Sequence, residues 1–212
     1  MILSFNVMQT VDINKEKKRT DLLNASYELF TTKGVSNTTI HMIAKKANVG
    51  KGTFYLYFKD KEEIMNILIA QKSSEILSDA IKMLNDHCNN SDKDLSASDK
   101  ILFVTDYIIT TLSKDISLLK YISKNLSWGM ISLPLFSTDK SEPVDFRTYI
   151  LSMLKNDGIV FEKNFDLMIF TVIELINSTC YNVILHEEPV SFAEYKPYLF
   201  NCIKLIVEDA VN

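Results

Sequence analysis

Apolar residues recur along most of this chain at intervals of three and four, the spacing of a helix that buries one face. After the basic cluster Lys15, Lys17, Lys18 and Arg19, the residues Leu22, Ala25, Leu29 and Phe30 share a face, and Lys33-Gly34 supplies a cation and a stop. Asn37 or Thr38 offers a cap for a short helix carrying Ile40, Ile43, Ala44 and Ala47, which breaks at Asn48-Val49-Gly50. Another short helix follows over Thr53 to Phe58. Asp60 and Glu63 form a capping-box-like pair ahead of a long helix with Ile64, Leu68, Ile76, Leu77, Ile81 and Leu84 at helical spacing.

The polar run His87 to Asp99 reads as a loop. Beyond it the pattern predicts helices over Ile101 to Leu112 and Ile116 to Leu126, then an irregular stretch from Trp128 to Val144 containing Gly129, Pro134 and Pro143. Helical spacing resumes over Phe146 to Leu154. From Phe165 to Leu185 there is no Lys or Arg, and apolar residues take almost every side of the wheel, so this helix is expected to be buried all round. Tyr195, Tyr198, Leu199, Cys202, Ile203, Ile206 and Ala210 form the stripe of a last helix, with Pro197 disturbing its first turn. The expected fold is all-α, with about nine helices.

Composition sharpens this picture. A chain of 212 residues that is 47% hydrophobic has a real core, and five Gly with four Pro suit helices joined by short connections. The net charge of -4 argues against a polyanionic partner until it is divided along the chain. Residues 1–70 hold ten Lys/Arg against seven Asp/Glu, and residues 71–212 hold thirteen against twenty. A basic first part on an acidic body suits a protein that touches polyanion with one end. Cys88, Cys180 and Cys202 are widely spaced in apolar surroundings and read as reduced thiols, neither a disulfide framework nor a metal site. Met1 to Val11 lacks the features of a secretory signal, and residues 1–14 are expected to form a mobile arm. Asp166, Glu174, Asn177 and Asn182 interrupt the apolar segment 165–185, which is therefore not expected to enter a membrane, and a cytoplasmic location follows.

The most specific signal is the run Thr38-Thr39-Ile40, Ile43-Ala44, Ala47, Val49, Lys51-Gly52, Phe54-Tyr55, Tyr57-Phe58 and Lys61. A helix-turn-helix needs small residues where its helices cross, which Ala44 and Ala47 supply, and an apolar residue to plug the corner, which is Val49. Gly50 and Gly52 leave room for close approach by DNA, and Phe54 and Phe58, four apart, anchor the second helix while leaving Thr53, Tyr55 and Tyr57 available. With this spacing the chain resembles the TetR family of transcriptional regulators, over residues 22–64.

The resemblance implies a helix-turn-helix DNA-binding domain over 15–61 and a ligand-binding and dimerisation domain over 62–212. It implies that Thr38 and Thr39 face phosphate at a helix N-terminus, and that Lys51 and the Gly52 amide meet a phosphate or base edge. Thr53 would enter the major groove, Tyr55 and Tyr57 would lay hydroxyls on the sugar-phosphate strand, and Lys61 would neutralise a further phosphate. Lys45 and Lys46 are background contacts. The family's mode is repression by a homodimer on a roughly palindromic operator, relieved by a small effector. The dimer is expected to pair helices at about 165–185 and 195–210. Phe103, Tyr107, Tyr121, Trp128, Tyr149, Phe170 and Tyr181 are candidates to line an apolar or aromatic effector's pocket.

An enzyme would need a constellation that the sequence does not offer. His87 adjoins Cys88 but neighbours on a helix do not face each other, His186-Glu187-Glu188 lacks metal-site spacing, and His41 stands apart. Neither a cofactor nor a metal is expected. The competing non-catalytic reading is a helical sensor that acts through a protein partner and whose helix-turn-helix is non-functional.

Overall fold

The computed structural model describes residues 2–90, 95–125, 151 and 165–211. Among them are eight α-helices: α1 (Ile2–Lys33), α2 (Ile40–Lys46), α3 (Lys51–Tyr57), α4 (Lys61–Asn89), α5 (Ala97–Lys114), α6 (Ile116–Asn125), α7 (Phe165–His186) and α8 (Phe192–Val211). The chain divides into two compact units, 1–69 and 70–212, and the division falls inside α4. No Gly or Pro lies between Lys61 and Asn89, so nothing in that sequence interrupts the helix where the units meet.

In the first unit α1 begins at Ile2, so residues 2–14 of the stretch expected as a mobile arm are helical backbone continuous with the first helix. Its apolar pattern is weak, but it contains neither Gly nor Pro, and a helix already nucleated downstream extends through such sequence at little cost. The helix stops at Gly34, whose φ of 81° is open to glycine and whose N–H donates to the Phe30 carbonyl at 3.0 Å. Leu22, Ala25, Leu29 and Phe30 are buried together with Ile43, Ala44, Phe54, Phe58, Ile64 and Leu68. Each large apolar side chain so buried contributes about 1.5–3 kcal/mol. Ser26 lies in the same interior, fully covered, with no hydrogen-bond partner for its hydroxyl among the described residues.

In the second unit the loop expected from His87 to Asp99 is shorter, because α4 runs on to Asn89 and α5 starts at Ala97. Ser96 and Asp99 make a reciprocal capping box, and the Ser96 hydroxyl holds the Asp99 carboxyl below its ordinary range. Leu77, Ala80, Ile81 and Leu84 of α4 pack with Val104 of α5. A larger cluster joins Ala97, Ile101 and Ile109 of α5 to Phe165, Met168, Ile169, Val172 and Cys180 of α7 and to Leu199, Ile203 and Val207 of α8. Burial there pushes the Cys180 thiol up to about 11.

Two expectations for the last helices change. By length and composition α7 is apolar enough to cross a membrane, yet it is not buried all round. Leu167 is 64% exposed and Phe170 42%, so part of the helix's apolar surface faces outward. Helix α8 starts at Phe192, ahead of the stripe that begins at Tyr195, because Ser191 and Glu194 exchange hydrogen bonds as a capping box. Pro197 thus falls in the second turn. Tyr198 and Leu205 stand out on this helix, 67% and 58% exposed.

Candidate nucleic-acid interface

The turn between α2 and α3 is built by main-chain hydrogen bonds. Helix α2 closes with the Val49 N–H donating to the Ala44 carbonyl at 2.9 Å and the Asn48 N–H to the Lys45 carbonyl at 3.2 Å. Asn48, with φ of 55°, takes the left-handed position that this double closure requires, one of the few that asparagine fills well. Four residues, 47–50, thus separate the two helices, and α3 starts with Gly50 as its cap and no side-chain hydrogen bond to its first amides.

Helix α3 is held from one side. Phe54 is fully buried and Phe58 nearly so, their ring centroids 5.7 Å apart, and the Arg19 guanidinium lies 5.6 Å from the Phe58 ring. The opposite side is bare: Lys51, Gly52, Tyr55 and Leu56 are exposed, and Thr53 and Tyr57 are half-buried at the flanks. A Cβ on Gly52 would meet nothing within 4 Å, so the protein's own packing does not require glycine there. Residues 38–59 contain Lys45, Lys46, Lys51 and Lys59 and no carboxylate. This surface offers cations, phenol hydroxyls and open amides on a rigidly seated helix, which is what a polyanion with a groove can use.

The predicted contact residues do not all reach that surface. Thr39, not Asn37 or Thr38, caps α2: its hydroxyl accepts from the Met42 N–H at 3.2 Å, and the residue is exposed. Thr38 is 1% exposed and its hydroxyl donates inward to the Gly34 carbonyl at 2.9 Å and to the Leu29 carbonyl at 3.3 Å. A paired threonine sequence has one member on each side of the backbone, and here the first is spent on closing α1. Lys61 is likewise turned inward, its ammonium donating to the carbonyls of Val35 at 2.6 Å and Thr38 at 2.9 Å. Those oxygens occupy donors that the expected phosphate would need. Lys46 pairs with Glu28 at 2.5 Å, whereas Lys45 is exposed.

Leu56 is the residue that reading the sequence missed. It is 80% exposed on the outward face of α3, and its position midway between the two phenylalanine anchors was the available signal.

Of the effector candidates, Phe103 and Tyr107 pack against the α4–α5 cluster, and Phe103 stacks on His87 with centroids 5.2 Å apart. Tyr121 is buried, Tyr181 is half-buried with its ring 6.5 Å from that of His186, and Phe170 is partly exposed on α7. Trp128 and Tyr149 lie outside the described residues.

Residues 22–67 match the family model described as bacterial regulatory proteins, tetR family. Among curated proteins, an uncharacterized HTH-type transcriptional regulator, YvdT, of Bacillus subtilis is 26% identical over 189 residues, covering 86% of this chain and 91% of that one. Among solved structures, a TetR transcriptional regulator from Rhodococcus sp. matches with a TM-score of 0.61 and 16% identity, over 90% of this chain and 94% of its own. FadR of Thermus thermophilus, a TetR-family transcriptional repressor in complex with lauroyl-CoA, matches with a TM-score of 0.58 and 17% identity, over 90% and 93%. At those identities the structural matches speak for the fold.

Proposed function

We propose, from the match of residues 22–67 to the tetR family model and from the HTH-type relatives, that the chain is a TetR-family repressor which grips a roughly palindromic operator as a homodimer and lets go when a small apolar effector binds. The observation that carries this reading is the outward face of α3. Lys51, Gly52 and Tyr55 stand exposed on a helix fixed from behind by Phe54 and Phe58, in a stretch with four lysines and no carboxylate. Lys51 supplies charge to phosphate, the amide of Gly52 lets the backbone come close, and the Tyr55 hydroxyl hydrogen-bonds the strand. Thr39 lies exposed at the start of α2 and adds a second phosphate contact. Thr53 and Tyr57, half-buried at the flanks, are secondary contacts.

The repressing mode and the effector are supported by the family's usual mechanism and by the FadR likeness with its acyl-CoA. An acyl chain is apolar ligand chemistry of the kind the effector reading expects, which makes lauroyl-CoA the first compound to try. For such a ligand to release DNA it must bind the free form more tightly than the DNA-bound form. The protein then works in the cytoplasm, where operator and effector are both at hand.

The test is fluorescence anisotropy of the protein with labelled duplex from upstream of its own gene, against a random duplex, across a salt series and with Lys51→Ala alongside. Sequence-preferring binding that weakens with salt is expected, with the slope of log affinity on log salt flatter by about 0.9 in the variant. Added lauroyl-CoA is expected to lower the anisotropy. Absence of binding to either duplex at low salt would remove the DNA-binding reading and leave the protein-partner sensor.

A further inference from the structure

We propose that Leu56 reads thymine, by packing its side chain against C5-methyl groups in the major groove. The proposal rests on α3 being the helix that enters DNA, and it assigns a base-reading role to a residue that charge and hydrogen bonding alone would overlook.

Leu56 is the most exposed large apolar side chain among the described residues, at 80%. It sits two positions after Phe54 and two before Phe58, and each step of two turns about 200° around a helix, so Leu56 points directly away from the pair of buried rings. Gly52 precedes it by one turn on the same side, with open space where a side chain would be. Lys51 and Tyr55 lie to one side of this ridge and Thr53 and Tyr57 to the other, and these four carry the polar groups. The tip of α3 is therefore apolar, and its shoulders are polar.

A leucine so placed contributes little to the fold, since its side chain leaves most of its surface in water. It has neither donor nor acceptor, so phosphates, sugars and most base edges offer it nothing. The apolar group that duplex DNA presents to a helix in the major groove is the thymine methyl, which distinguishes T·A from every pair lacking it at that position. The lysines of this segment select a polyanion over an apolar protein surface as the occupant, with Lys45 and Lys51 exposed on α2 and α3 and no carboxylate in residues 38–59.

The experiment selects preferred sequences from a random duplex pool with the full-length protein, then replaces each thymine of the best sequence in turn by deoxyuridine, which removes the methyl and leaves base pairing intact. The wild type is expected to lose roughly threefold to fivefold in affinity at one or two positions of each half-site, the scale of withdrawing one methyl-sized contact. Leu56→Ala is expected to melt as the wild type does, to be indifferent to uracil at those same positions, and to select sequences without a thymine preference there. Leu56→Met, which keeps apolar reach, is expected to retain the sensitivity. Selection that enriches a sequence in which no thymine responds to uracil, or a Leu56→Ala protein with undiminished response, overturns the assignment while leaving DNA binding intact. Selection that enriches nothing overturns both.

Discussion

The ammonium of Lys61, the first residue of α4, donates to the main-chain oxygen of Thr38 across 2.9 Å and to that of Val35 across 2.6 Å. One lysine thus fastens the start of the long helix to the corner from which α2 departs. Charged donors on main-chain oxygens are worth roughly 1.5–3 kcal/mol each where they are shielded, and less where water competes. Lys61→Met is expected to lower the melting temperature and weaken operator binding, with a salt slope equal to that of the wild type. Lys51→Ala is expected to show the reverse pattern, an unchanged melt and a flatter slope. A Lys61→Met protein that melts normally and loses about one unit of slope would return Lys61 to the phosphate backbone.

Gly52 separates folding from binding. Its side has open space, its φ is not in the left-handed region, and it lies within α3. Gly52→Ala is expected to leave the melting temperature unchanged or raise it, by up to about 1 kcal/mol of stability, since alanine has less freedom to lose. The same change sets a methyl where the duplex approaches and is expected to weaken operator binding at least tenfold, read by anisotropy. An alanine variant that binds as the wild type does would show that the backbone of α3 stays clear of the DNA.

The exposed apolar surface of the last two helices predicts the quaternary state. Leu167 on α7 and Leu205 on α8 are more than half exposed in the single chain. Covering them by a second copy would bury what remains of each at a gain of about 1–2 kcal/mol, since each is already more than a third covered. Sedimentation velocity at micromolar concentration is expected to give a dimer for the wild type and a monomer for Leu205→Glu, with operator affinity lost in the variant. A wild-type monomer at that concentration would refute the pairing.

Cys180 supplies a pH test. Burial raises its thiol from 9.0 to about 11 in the folded chain, so between those values the folded form keeps a proton that the unfolded form has released. Unfolding is then favoured as pH rises, and stability falls from pH 9 toward 11. Melting temperature is expected to decline across that interval, and less steeply in Cys180→Ala. A neutral-pH thiol reagent is expected to label the half-buried Cys88 and Cys202 well before Cys180.

The helix-turn-helix was legible because several physical demands coincide on few residues. Leu22, Leu29 and Phe30 announce one buried face, Gly34 its end, and Phe54 with Phe58 the anchor of the next helix, and each of these is where the pattern put it. What pattern alone does not carry is the choice between equivalent polar neighbours. Thr38 and Thr39 are the same residue in sequence terms, and only the closing geometry of α1 decides that the first turns inward and the second becomes the cap. Lys61 looks like any surface lysine until two carbonyls with no helical partner are found beside it. The stripe that begins at Tyr195 puts the start of α8 three residues late, because the start signal lies ahead of it in the spacing of Ser191 and Glu194. The aromatics of the second unit have no such signal, since packing in a core and lining a cavity ask for the same residues.

Because Leu77, Ala80, Ile81 and Leu84 form one stripe of α4 against Val104 of α5, that part of the helix carries a rotational phase. A single residue inserted between Ala80 and Ile81 turns Ile81 and Leu84 by about 100° away from the face they share with Leu77 and Ala80 and shifts them by about 1.5 Å, whereas seven residues restore the phase to within about 20°. Length changes inside this stripe are therefore constrained by helical register more than by residue type, and survive only in whole pairs of turns.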